Sequence, residues 1–115
     1  MYEYQAQVLA VVDGDTMHVQ IDLGVEEFRK MTLRLYGLNA PEKHGDTKQA
    51  GLSARDYVVD WVAKWAIEGM VLIRTIKDRT EKYGRYLADV YSLDGEHWLN
   101  SDLLSDGHAV PYLVD

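Results

Sequence analysis

Three separated stretches carry side chains that could do chemistry together: VVDGDT at 11–16, RLYGLNAPE at 34–42 and TEKYGR at 80–85. Read singly, each has an ordinary structural explanation. Asp-Gly between apolar runs is a hairpin signal. An arginine on a strand's polar face and a charged turn around Gly84 are normal surface features. Read together, they supply a carboxylate at Asp15, an amide oxygen and a carboxylate at Asn39 and Glu42, and guanidinium groups at Arg34 and Arg85. Oxygen-only donors suit Ca²⁺ or Mg²⁺ rather than zinc. Arginine forks match phosphate oxygens. A hard cation, a carboxylate base and two arginines are the parts needed to break a phosphodiester, because they neutralise the charge that builds on phosphorus and activate water.

Such parts must be positioned by a fold. Residues 4–12, 16–22 and 29–38 alternate in polarity or become uniformly apolar, which predicts a three-strand meander. DLG at 22–24 predicts the turn between the second and third strands, with 25–28 as a solvated hairpin tip. Pro41 holds Ala40 extended and stops any helix there. Ala54, Val58, Trp61, Val62 and Trp65 recur at three- and four-residue spacing, predicting an amphipathic helix that starts either at the N-cap pattern of Ser53/Asp56 or earlier, with Gln49 to Leu52 already helical, and ends at Gly69. Residues 71–79 and 85–92 read as strands. Residues 100–107 read as a short helix capped by Asn100 and closed by Gly107. Mainly β with α, with five strands and one long helix between the third and fourth, is the order of an OB-fold barrel.

The whole chain sets limits. Its 115 residues predict a single domain, 1–115. With 47% hydrophobic residues it has enough apolar side chains for one core. It has no cysteine, which excludes disulfides, thiolate nucleophiles and cysteine-bound zinc. The start lacks a basic segment followed by an apolar one, and no run is long enough to span a bilayer, so no membrane partner and a cytoplasmic location are expected. A net charge of −7 argues against binding long nucleic acid by charge alone, so any such function must rest on a few focused cations. The four histidines show no metal-type spacing, and Trp61 and Trp65 read as core.

The order and spacing of VVDGDT, LRLYGLNAPE and RTEKYGRYLADVY resemble the staphylococcal nuclease (thermonuclease) family from about Tyr4 to Tyr112. The resemblance implies an OB barrel with added helices and calcium-dependent cleavage of DNA and RNA by a monomer. It implies Asp15, Asn39 and the backbone carbonyl of Ala40 as metal ligands. Arg34 would contact the scissile phosphate, Glu42 would orient or deprotonate water, and Arg85 would assist at the transition state. Lys82 and Tyr83 would hold a terminal phosphate and Tyr112 would pack on a base. Two departures stand out. Asn39 replaces a metal-binding aspartate, so the nearby carboxylate charge is −2 from Asp15 and Glu42 rather than −3, with Asp13 the nearest acid that could act through water. PYLVD ends where the prototype continues into a further helix, as expected of a minimal member or of a piece of something longer. The alternative is a non-catalytic OB module binding single-stranded nucleic acid or a protein partner; such a module would be expected to lose one of Asp15, Arg34, Glu42 or Arg85, all of which are present.

Overall fold

A computed structural model describes residues 2–80 and 84–112, the side chains of 77–80 excepted. The meander forms as the alternation predicts, from β1 (Tyr2–Asp13), β2 (Thr16–Gly24) and β3 (Glu27–Leu35). After a long helix, β5 (Met70–Thr80) and β6 (Tyr86–Tyr91) complete a closed barrel in the order β1-β2-β3-β6-β5. Every neighbouring pair is antiparallel except β3 with β6, which closes the barrel in parallel. Met17, Val19 and Ile21 of β2, Leu33 and Leu35 of β3, Val71 and Ile73 of β5, and Ala88 and Val90 of β6 fill the interior. Alternate residues point out, as the two-residue period of a strand requires. The five-stranded barrel with a long helix after the third strand and a short C-terminal helix is the architecture read from the sequence.

The third strand is shorter than its polarity pattern. It ends at Leu35, Gly37 adopts φ +84°, and Leu38–Asn39 restarts as a two-residue strand, β4, paired with β7 (Val110–Pro111). A buried asparagine holds this break. Asn100 is 2% exposed; its Nδ2 donates to the carbonyls of Tyr36 (3.0 Å) and Ala88 (3.2 Å), and its Oδ1 accepts from the Val90 N–H (3.0 Å). It is therefore not the expected cap. It sits inside α2 (Leu99–Ser105), whose cap residue is Trp98, and it satisfies three backbone groups beyond the end of the ladder.

The long helix, α1 (Lys48–Trp65), follows a 3₁₀ turn at Gly45–Thr47, so it begins five residues before Ser53 and the Ser53/Asp56 pair lies inside it. It ends at Trp65, ahead of Gly69, which instead occupies a tight turn with Glu68, both at positive φ. Its buried stripe is Gly51, Ala54, Val58 and Trp61. Trp61 closes one end of the barrel, and its Nε1–H donates to Asp102 of α2 at 2.9 Å. Trp65 is half-buried and stacked on His97, with ring centres 3.4 Å apart. Between β2 and β3 the turn falls on Val25 and Glu26, one residue later than the DLG signal, and Glu27 and Phe28 already belong to β3. No helix among the described residues is long and apolar enough to cross a membrane.

Candidate phosphodiester site

The site is built where the β1–β2 turn, the end of β3 and β4 meet. Gly14 lets them meet. A Cβ there would lie 2.8 Å from the Cβ atoms of both Ala40 and Ala54, so only glycine allows the turn to pack against the Ala40 segment and α1. Gly51 does the same one turn earlier in α1, where a Cβ would come within 2.3 Å of the Glu42 carbonyl oxygen. The Leu35 N–H donates to the Asp15 carbonyl at 2.8 Å, tying β3 to the turn.

These approaches bury Asp15 to 8% exposure. Its Oδ1 accepts from the Thr16 hydroxyl at 3.0 Å, and its Oδ2 accepts from the Ala40 N–H at 3.0 Å and pairs with the Arg34 guanidinium. Arg34 in turn donates to the Leu38 carbonyl at 3.1 Å and to Oδ1 of Asn39. One guanidinium thus gathers a carboxylate, a carbonyl and an amide oxygen from two segments that lie 23 and more residues apart in sequence. Arg85 approaches from the start of β6 and donates to the Thr16 hydroxyl at 3.3 Å. Thr16 therefore stands between the carboxylate of Asp15 and the second arginine. The sequence motif contained Thr16, but only the register of β2 against β3, in which Thr16 lies opposite Arg34, gives it this place.

Asp15, Arg34, Asn39, the Ala40 backbone and Arg85 are brought together. Glu42 follows two residues after Ala40 in an exposed loop; its carbonyl accepts from the Thr47 hydroxyl at 2.8 Å, and no described side chain draws its carboxylate into the cluster. Asp13 is paired instead with Lys43 at 3.5 Å, while Lys43 also donates to the Val12 carbonyl. Tyr112 is 45% exposed beside β4, where its N–H donates to the Gly37 carbonyl at 2.9 Å. Lys82 and Tyr83 lie outside the described residues.

Among the described residues no three carboxylate or imidazole groups gather as a metal site would require. A cation here would lean on one carboxylate and on neutral oxygens. The donor chemistry nonetheless fits a hard ion: the available groups are all oxygens, and those of Asp15 and Asn39 already face a common positive charge. The cost of burying Asp15 is offset by two hydrogen-bond donors and a fixed guanidinium.

The chain is similar to known proteins. The chain is 28% identical over 129 aligned positions to MJ1439, an uncharacterized protein of Methanocaldococcus jannaschii, and the match takes in 96% of the chain but 60% of that protein's length. Residues 32–115, well over half of the chain and including Arg34, Asn39, Glu42 and Arg85, match the model of the staphylococcal nuclease homologue family. A closed barrel whose third strand delivers an arginine to the β1–β2 turn, with that match across its later three quarters, means that the chain belongs to the staphylococcal nuclease homologue family.

Proposed function

We propose that the protein is a calcium-dependent nuclease that hydrolyses phosphodiester bonds of single-stranded or locally opened DNA or RNA. The observation that carries the reading is the meeting of Asp15, Asn39, Arg34 and Arg85 around Thr16, from segments with no reason to meet if each were only a turn or a solvated strand end. Calcium, held by Asp15, Asn39 and the Ala40 carbonyl, would neutralise phosphate charge and make bound water more acidic. Arg34 binds the same oxygens, so guanidinium and divalent ion compete for Asp15 and Asn39. In the working enzyme the Arg34 fork turns to the phosphate, two of whose oxygens it fits through two parallel N–H donors. Arg85 supplies a second fixed donor to the charge that develops as the phosphorus–oxygen bond breaks. Glu42, solvated at the loop start, takes the proton of the attacking water.

A second reading, a non-catalytic barrel that binds nucleic acid or protein, draws on the exposure of Glu42, and the charge of −7 counts against its nucleic-acid version. One assay separates the two. Single-stranded DNA and RNA are incubated with the protein in calcium and in EDTA. Fragments that form with calcium and stop with EDTA support the nuclease; intact strands in both leave only the binder.

A further inference from the structure

The two ends of the barrel differ. α1 and α2 cover the end at which β1 finishes, where Ala54 packs on Gly14 and Trp61 joins the core. At the other end a cavity of about 360 Å³ opens to solvent, lined by Tyr2, Tyr4, Met31, Tyr86 and Arg29, with Ile21 at its floor. This volume lies in the range of small-ligand sites, and so does the wall chemistry of aromatic and aliphatic surface with a few polar tips. The Arg29 guanidinium forms no ion pair with any described residue, and the hydroxyls of Tyr4 and Tyr86 accept and donate no hydrogen bond among them.

The wall of the cavity also runs toward the candidate site. β6 begins at Tyr86, opposite Leu33, so among the described residues 27–32 of β3 pair only with β2. Tyr86 faces the cavity, while the residue before it, Arg85, reaches out to Thr16. Met31 of the cavity is three residues from Arg34 along β3, roughly 10 Å. A chain passing the two arginines can therefore turn over this rim.

We propose that the open mouth of the barrel receives one nucleobase of a single-stranded substrate, stacked against Tyr86 and Tyr4, with the tyrosine hydroxyls and Arg29 meeting its polar edge or the adjoining phosphate. The proposal rests on the nuclease reading for the path of the strand. Base–aromatic stacking tolerates any base, so the mouth adds affinity and register without sequence preference. The chemistry it recognises, a base, is shared by a strand and a free nucleotide, and the test separates them.

The test uses a short single-stranded oligonucleotide in EDTA, with the fluorescent base 2-aminopurine placed at each position in turn. One position is expected to be quenched on binding. Tyr86→Ala should remove that quenching and weaken binding roughly tenfold, the scale of losing one stacked base. Tyr86→Phe, which keeps the ring, should retain both and shows that the alanine effect is not misfolding. An abasic unit at the quenched position should make wild type and Tyr86→Ala bind alike. Uniform quenching at all positions, or wild-type affinity in Tyr86→Ala, overturns the proposal. So does binding of adenosine monophosphate as tight as that of the oligonucleotide, since the mouth would then be a free-nucleotide site. Because the readout is binding without cleavage, an inactive protein that shows the quenched position defeats the nuclease reading alone.

Discussion

The sealed and open ends of the barrel spend the same kinds of residue differently. At the sealed end a Cβ on Gly14 or Gly51 would clash with neighbouring carbon or carbonyl atoms, and buried Asn100 and half-buried Asp102 are hydrogen-bonded. At the open end the β2–β3 turn places Val25 and Glu26 at φ +47° and +62°, a conformation that costs a branched side chain energy, and Val25 is 90% exposed. The difference shows where accuracy is required. A cluster that must hold a carboxylate, an amide and two guanidinium groups within hydrogen-bond reach is set on the packed end, and the packing transmits its position. A surface that only has to admit a flat ring tolerates a looser rim.

Substitutions at the two ends should therefore separate cleanly. The largest effect is expected from Arg85→Ala, which removes a donor to the transition state and should lower cleavage by about a thousandfold while leaving the melting curve nearly unchanged. Near-wild-type turnover by this variant in calcium would end the assignment of Arg85. Asn100→Ala should leave the Val90 N–H and the Tyr36 carbonyl without the amide that serves them and cost about 2–3 kcal/mol in denaturant unfolding. A loss below half a kcal/mol would mean that water replaces the amide and that the sealed end is less dry than described.

Smaller effects probe the site's charge and the loose rim. Asn39→Asp restores a second carboxylate beside Asp15 and should tighten calcium by about tenfold, read by calorimetric titration. Unchanged affinity would show that the Asn39 oxygen is not a ligand. Arg34→Ala should tighten calcium in the same titration, because it frees Asp15 and Asn39 of a competing cation, even as cleavage is lost; weaker calcium binding would refute the competition. The smallest change is expected at the rim. Val25→Asn puts a residue that tolerates positive φ into the turn and should stabilise the fold by about 1 kcal/mol. No gain would mean that Val25 is held by something other than its backbone.

Much of this was legible in the chain. The period of two in β2 and β3 and the stripe at Ala54, Val58 and Trp61 follow directly from the geometry of strands and helices, so the barrel and its helix could be read locally. Boundaries were less legible. Ser53 resembles a cap but lies inside α1, because the 3₁₀ turn at Gly45–Thr47 starts the helix earlier. Asn100 resembles a cap as well, yet its amide is used across the fold, by backbone 10 and 64 residues away.

The sequence by itself determined which side chains could bind a hard cation and a phosphate, since that depends only on their oxygens, their guanidinium groups and their charge. It also determined the alternation from which the strands arise. Only the tertiary structure decided that Arg34 faces Asp15 and Asn39 together, that Thr16 stands between Asp15 and Arg85, and that the mouth lined by Tyr4 and Tyr86 stays open. Those relations depend on strand register and on two glycines with no room for a Cβ. They are distances between segments far apart in the chain, and no local pattern of residues encodes such a distance.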